Sequence, residues 1–100
     1  MEKYILTFSK QAQKDAKLLA EDKLSDKARE ILEILEKNPF QSPPPYEKLR
    51  GELDGFYSRR INSKHRIVYE VTRGIPGYAG GVHIIKMRTH YRGMLSLLFL

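Results

Sequence analysis

Hydrophobic and polar residues follow different periods in the two halves of this 100-residue chain. The first stretch, KYILTF (3–8), is short, β-branched and aromatic, which predicts a strand. Hydrophobic residues then recur every three to four positions, so a first helix is predicted from a Ser9 cap to about residue 20. A second helix is predicted from a Ser25 cap to a stop at Asn38-Pro39, and each helix has one narrow hydrophobic face. These faces predict two helices packed on the same side of a sheet.

The pattern changes to strands after a proline-rich segment. Residues 39–55 hold four of the five prolines, which predicts an extended loop because proline lacks a backbone donor and disfavours helix before it. Strands are predicted at about 56–61, 65–72 and 82–91, with a glycine-rich hairpin loop at 73–81. The order β-α-α-β-β-β predicts an α+β fold, an antiparallel sheet with two helices packed on one face. A chain of this length is expected to form one domain, 1–100.

Side-chain alternation divides the last two predicted strands into a hydrophobic face and a basic face. The hydrophobic set, predicted to lie under the helices, is Ile67, Tyr69 and Val71 on one strand and Ile85, Met87, Thr89 and Tyr91 on the other. The opposite set, predicted to lie on the face that the helices leave uncovered, includes Arg66, Lys86, Arg88 and His90. The strand before them is ambiguous, because Phe56 and Ile61 have opposite parity and cannot both point inward without a bulge. The faces of Arg59 and Arg60 therefore stay open at this point.

The net charge of +6 belongs to one part of the chain. Residues 1–40 hold eight Lys and Arg and eight Asp and Glu, whereas residues 41–100 hold ten against four. Such a regional excess indicates a polyanionic partner, with nucleic acid the leading candidate and a merely solubilising charge the alternative. The chain has no cysteine, no hydrophobic run long enough to span a membrane and an acidic residue at position 2, so a cytoplasmic location is expected.

The most informative motif lies in the basic half. The segment YEKLRGELDGFYSRRINSKHRIVYEV (46–71), together with MRTHY (87–91), resembles the signature region of the Txe/YoeB toxins, a branch of the RelE/ParE superfamily of toxin–antitoxin systems. The resemblance covers about residues 39–91, and the β-α-α order before them is the one that this family needs. It implies a messenger-RNA endoribonuclease that cuts in the ribosomal A site, inhibits translation and is bound by a cognate antitoxin.

The resemblance also implies roles for individual residues. In such enzymes a ribose 2′-OH attacks the adjacent phosphate without a metal ion, so a base, a phosphate-stabilising cation and an acid are needed. Glu47 corresponds to the base, Arg66 to the cation and His90 to the acid. Supporting RNA contacts are expected from Arg50, Arg59, Arg60, Lys86, Arg88 and Tyr91, although Tyr91 could instead pack inward. The three histidines are dispersed and no carboxylate pair has ligand spacing, so no metal or cofactor is expected.

Two features depart from the family pattern. The loop at 73–81 is long, and the chain continues past the His-Tyr pair with RGMLSLLFL, a tail that could cover the core, pair at a sheet edge or mediate a homodimer. Fold alone does not establish nuclease activity, because ParE-like toxins that do not cut RNA share the scaffold, and an RNA-binding module would need only the basic face. The joint presence of Glu47, Arg66 and His90 favours the nuclease.

Overall fold

The computed structural model describes residues 2–88, which contain two helices on one face of a five-stranded sheet. The elements are β1 (Tyr4–Phe8), α1 (Lys10–Glu21), α2 (Ser25–Lys37), β2 (Glu47–Lys48), a 3-10 turn (Gly51–Leu53), β3 (Phe56–Arg60), β4 (Arg66–Thr72) and β5 (Gly80–Lys86). This arrangement confirms the predicted α+β fold. The predicted site residues His90 and Tyr91, and the tail after them, lie outside the described residues.

The sheet has the strand order β1-β5-β4-β3-β2 and is mixed. The pairs among β2, β3, β4 and β5 are antiparallel, but β1 runs parallel to β5, with Tyr4 opposite Gly80 and Phe8 opposite Ile84. The prediction of a wholly antiparallel sheet is therefore wrong for this one pair. The series of antiparallel strands ends at β5, and β1 from the start of the chain pairs along its free edge.

The two helices begin in different ways. Ser9 caps α1 as predicted, because its hydroxyl accepts from the Ala12 N–H at 3.0 Å, and the same hydroxyl donates to the Ile85 carbonyl at 2.6 Å. Helix α2 starts at Ser25, with Leu24 in the cap position and no side-chain capping bond, so the predicted Ser25 cap is wrong by one residue. The hydroxyl of Ser9 thus fixes the start of α1 and ties it to β5.

The main core lies between the helices and one face of the sheet. Its buried members are Ala12, Leu19, Ala28, Ile31, Leu35, Ile61, Ile67, Tyr69, Val82, Ile84 and Met87. Asp15 of α1 is buried beside them and accepts from the backbone N–H of Met87 at 3.0 Å and from the Gln11 side chain at 2.8 Å. A buried carboxylate with two donors is satisfied, and here it holds the chain after β5 against α1.

The opposite face of the sheet is partly covered by the 3-10 turn. Leu49, Leu53 and Val68 are buried there, with Phe56 and Ile85 packed against them. Phe56 and Ile61 therefore pack on opposite faces, and β3 needs no bulge.

The irregularity occurs instead between β4 and β5. Lys86 pairs with Val68 and Ile84 with Tyr69, so Ile85 is the extra residue of a bulge. Ile85 joins the second cluster while Met87 joins the main core, which corrects the prediction that both lie under the helices.

His65, at the turn between β3 and β4, lies on the helix side of the sheet and is only 3 % exposed. The Asn62 side chain accepts from the backbone N–H groups of Lys64 and His65 at 2.9 and 2.7 Å, which closes this turn. Burial lowers the pKa of His65, and the positive charges of Arg88 and Lys64 lower it further.

This lowered pKa predicts a dependence of stability on pH. As the pH falls through about 6.5, His65 becomes protonated in the unfolded chain but not in the folded chain, so the free energy of unfolding should decrease. The contribution is complete above about pH 6.5 and is lost as the pH falls towards the folded-state pKa. Urea unfolding of the wild type and of His65→Gln, followed from about pH 8 to about pH 5, measures it. The variant should show the shallower decline, and equal slopes for the two proteins would contradict the assignment.

Candidate active site

Three strands bring the predicted base and the predicted phosphate-binding arginine together on the face away from the helices. Glu47 in β2 pairs with Ser58 in β3, and Arg60 in β3 pairs with Arg66 in β4. Residues opposite each other in neighbouring strands project to the same face, and Ser58 is also opposite Val68 of the second cluster. Glu47, Ser58, Arg60 and Arg66 therefore share one surface.

Arg66 is held at two of its nitrogen atoms. Its Nη2 donates to the Glu47 Oε2 at 3.2 Å, and its Nε donates to the Ser58 hydroxyl at 2.6 Å. Ser58 is fully buried, whereas the side chains of Arg66 and Glu47 are 15 % and 49 % exposed. The Arg66 guanidinium is thus held by the buried Ser58 hydroxyl, and it lies beside the Glu47 carboxylate, which solvent or substrate can reach.

Two grooves meet at Glu47. The arginine groove, about 370 Å³ in volume, is lined by Pro45, Tyr46, Glu47, Arg60 and Arg66. The outer groove, about 580 Å³, is lined by Tyr46, Glu47, Lys48, Leu49, Arg50 and Leu53. A phosphodiester chain crossing this surface would meet positive side chains on both sides of one carboxylate, because each groove contains basic residues.

The other predicted site residues divide into three groups. Arg50 lies in the outer groove, and Lys86 lies on the same face as Arg66, because it pairs with Val68 two residues further along β4. The β5 bulge is what turns Lys86 to this face. Arg59 and Arg88 are placed elsewhere, and His90 and Tyr91 lie outside the described residues.

Arg59 contradicts its predicted role as an RNA contact. It is only 1 % exposed, and its guanidinium donates to the carbonyl oxygens of Pro39, Gln41 and Pro44 at 2.8–2.9 Å. Its Nε also donates to the Tyr69 hydroxyl at 3.2 Å. A guanidinium buried on the helix side of β3 cannot reach a phosphate in the grooves.

Arg88 is also corrected. The bond between Asp15 and the Met87 N–H leads the chain towards α1, where Nη2 of Arg88 lies 3.6 Å from Asp22 Oδ2. Strict alternation predicts Arg88 on the same face as Arg66, but β5 ends at Lys86, so the alternation does not continue to Arg88.

Two residues of the site were not found from the sequence. Ser58 shares parity with Arg60, which could have indicated its face, but its bond to Arg66 depends on the pairing of β3 with β4. Tyr46 lines both grooves at the edge of the sheet, although its ring packs on Arg59 of the helix side, and it precedes β2, a strand of two residues that no sequence pattern indicated.

Two further properties concern residues 2–88. No cluster of His, Cys, Asp or Glu in this range could hold a metal ion. None of the helices described in this range is long and apolar enough to cross a membrane.

A small α+β protein with a carboxylate and several arginines on the sheet face away from the helices fits the class of toxins that the signature motif resembles. The family described as the YoeB-like toxin of bacterial type II toxin–antitoxin systems matches residues 8–91, and the chain belongs to this family. The resemblance of the motif is thereby confirmed.

Individual relatives agree with this membership. The toxin YoeB of Synechocystis is 36 % identical over 80 residues, which cover 80 % of this chain and 79 % of the relative. The YoeB/ParE toxin of Agrobacterium tumefaciens has a TM-score of 0.76 at 25 % identity, covering 87 % of this chain and 99 % of that one. The Staphylococcus aureus toxin, solved in a YoeB-YefM complex and as a YoeB dimer, has a TM-score of 0.69 in both, at 34 % and 33 % identity, covering 88 % of this chain and 98 % of that one.

The geometry predicts that Glu47 contributes little to stability. Because its carboxylate is half exposed, Glu47→Gln should change the free energy of unfolding by less than about 1 kcal/mol. Ser58→Ala removes a buried acceptor of a charged donor and should cost about 1–3 kcal/mol, which makes it the comparison variant. Urea unfolding of both variants measures the difference. A larger loss for Glu47→Gln than for Ser58→Ala would show that the ion pair is structural.

Proposed function

We propose that this toxin is a ribosome-dependent messenger-RNA endoribonuclease that cuts in the A site by metal-independent attack of a 2′-OH. The observation that carries the proposal is the contact between the Glu47 carboxylate and the Arg66 guanidinium, 3.2 Å apart in a basic groove. Membership of the YoeB-like toxin family supports it. We take residues 1–100 to be a single toxin domain.

The two groups suit the first half of the reaction. Glu47 accepts the proton of the 2′-hydroxyl, and the 2′ oxygen then attacks the adjacent phosphorus. The phosphorane that forms carries additional negative charge, which Arg66 stabilises through N–H groups already oriented by Ser58. Preorientation matters because a cation that is fixed beforehand loses little free energy in reorganising during the reaction.

The second half needs a proton donor. The bond from phosphorus to the 5′ oxygen breaks, which leaves a 2′,3′-cyclic phosphate on one fragment and a 5′-hydroxyl on the other. His90 is proposed to donate the proton to that 5′ oxygen, as the motif implies, and Tyr91 is proposed to stack beside it.

Basic residues around this pair are proposed to hold the message. Arg60 in the arginine groove, Arg50 in the outer groove and Lys86 on β5 can contact successive phosphates. Phosphate contacts position RNA without reading its sequence. We therefore assign the choice of the scissile bond to the ribosome, which presents the codon in a fixed place, and the cytoplasmic location follows from this substrate.

The catalytic assignment is tested by single-turnover cleavage on saturating ribosomes, where differences in binding no longer contribute. Glu47→Gln removes the proton acceptor and should lower the rate by about 10²–10⁴-fold, and Arg66→Ala should lower it comparably. Lys86→Gln is the control, because loss of a phosphate contact should weaken ribosome binding and reduce its salt dependence without changing the saturated rate.

The same assay decides between the nuclease and its alternatives. Wild-type protein should cut ribosome-bound message far faster than free message, and equal rates would remove the ribosome from the proposal. If Glu47→Gln and His90→Gln both kept the wild-type rate at saturation, the acid–base assignment would fail and a binding toxin of the ParE kind would replace it.

We further infer that an antitoxin covers the basic face. The Staphylococcus aureus neighbour was solved with YefM, and a type II toxin of the same family is expected to have such a partner. An acidic segment that folds on contact would mask Arg60 and Arg66 by charge pairing. A homodimer, as in the other Staphylococcus aureus structure, is a compatible state of the free toxin.

Charge reversal tests this partner surface. Against an antitoxin selected because it restores growth to cells that express the toxin, Arg60→Glu should weaken binding by at least tenfold, about 1.4 kcal/mol. Arg29→Glu, on the exposed face of α2, is the matched control and should bind as the wild type does. Isothermal titration at two salt concentrations measures both. Loss of binding in the Arg29 variant alone would place the interface on the helices.

A further inference from the structure

Tyr46, the residue before the proposed base, is the last residue of a segment without regular secondary structure. This proline loop, residues 39–46, runs from the end of α2 to β2 and contains four prolines. Its four prolines have no backbone N–H, so the loop has few backbone donors of its own to pair with its carbonyl oxygens. Carbonyl oxygens of the loop that are shielded from water therefore need donors from other segments of the chain.

One side chain supplies most of these described donors. The Arg59 guanidinium donates to Pro39 and Gln41 from Nη2, at 2.9 and 2.8 Å, and to Pro44 from Nη1, at 2.8 Å. The three carbonyls span the loop from its first residue to two residues before Tyr46. The planar guanidinium, with donors in a fixed fork, can join three separate points of a loop, whereas the compact lysine ammonium cannot.

The aromatic residues around Arg59 complete the attachment. The Arg59 Cζ lies 5.1 Å from the centre of the Tyr46 ring, and that ring packs near those of Phe40 and Tyr57 at 5.9 and 6.0 Å. A guanidinium over an aromatic ring is attracted by the ring face, most strongly where water is excluded. Tyr46 is therefore fixed on the helix side of the sheet edge, immediately before Glu47.

The Tyr69 hydroxyl links Arg59 to the first residue of the loop. It accepts from the Arg59 Nε at 3.2 Å and donates to the Pro39 carbonyl at 2.8 Å. Burial raises the pKa of Tyr69 to about 12, so the hydroxyl keeps the proton that it donates. The positive charge of Arg59 is thus solvated by the dipoles of the loop and of this phenol, and the loop and the arginine stabilise each other.

We propose that Arg59 is a positioning residue for Glu47, which acts by fixing the proline loop and Tyr46 and thereby the distance from the Glu47 carboxylate to Arg66. Glu47 pairs with Ser58, the neighbour of Arg59 in β3, so the anchor and the base are attached to the same short stretch of strand from opposite faces. The proposal rests on the proposed nuclease function, since it names how the base of that reaction is held.

Arg59→Lys distinguishes positioning from RNA binding, because it keeps the charge and loses the fork. With Arg29→Lys on α2 as the matched control, the saturated single-turnover rate of Arg59→Lys should fall by at least about tenfold, since displacement by about 1 Å can cost 10²-fold. Ribosome affinity and its salt dependence should stay at wild-type values. Weaker, less salt-dependent binding with an unchanged saturated rate would overturn the proposal and restore an RNA contact.

A double-variant cycle tests whether Arg59 acts through Glu47. If it does, Arg59→Lys should slow cleavage strongly in the wild type and hardly at all in Glu47→Gln, where the base is already lost. An equal loss in both backgrounds would mean that Arg59 affects the reaction independently of Glu47, and the proposal would be wrong.

Hydrogen exchange supplies a measurement that does not need activity. Arg59→Lys should speed exchange of the amides of Phe40, Gln41, Tyr46 and Glu47, while the amides of α1, α2 and β1 keep wild-type protection. Unchanged exchange in the loop would overturn the proposal. Should the wild type cleave no message at all, the nuclease assignment would fail separately, and the exchange result would still decide whether Arg59 holds the loop.

Tyr69→Phe provides a milder variant in case Arg59→Lys does not fold. It removes one bond to Arg59 and one to Pro39 without touching either groove. Tyr69→Phe should also speed exchange in the proline loop and lower the saturated rate with unchanged ribosome binding. Both effects should be smaller than in Arg59→Lys. Wild-type exchange and rate in a folded Tyr69→Phe protein would count against the proposal.

Discussion

The structure depends on the solvation of one buried positive charge. Removing a guanidinium from water is costly unless its donors are satisfied, and Arg59 is satisfied by three carbonyl groups of the proline loop and by the Tyr69 hydroxyl. The same contacts determine the path of a loop that has few donors of its own. One side chain of β3 therefore fixes both the edge of the sheet and the start of the candidate site.

Strand β3 uses consecutive side chains for separate purposes. Ser58 is buried on the site face and orients Arg66, Arg59 is buried on the helix face, and Arg60 is exposed in the arginine groove. Three neighbouring polar residues thus meet three different environments, because successive strand residues project to opposite faces and a strand end lies nearer to solvent. The two adjacent arginines of this short strand therefore have different roles. Arg59 stabilises the scaffold, and Arg60 is available to a polyanion.

Contacts on the helix side of the sheet determine the path of the chain after β5. Asp15 binds the Met87 N–H, Arg88 pairs with Asp22, and His65 is buried close to Arg88. These contacts place positive charge at both faces of the molecule, so the basic character of residues 41–100 is not confined to one surface. The net charge of this half alone therefore overstates how many of its cations face the grooves.

The sequence by itself determined the order of the elements, the two faces of β4 and the residue types that mark the family motif. Those features depend on local periodicity and on short spacings, which are present in the chain before it folds. Only the tertiary structure decided the parallel pairing of β1 with β5, the two-residue strand at Glu47 and the β5 bulge that turns Lys86 towards the site. It also decided that Arg59 is an internal anchor while Arg60 is exposed. The physical reason is that each of these depends on a partner far away in the sequence, such as Pro39 for Arg59 or Val68 for Lys86, and adjacent residues of identical type carry no local signal that separates them.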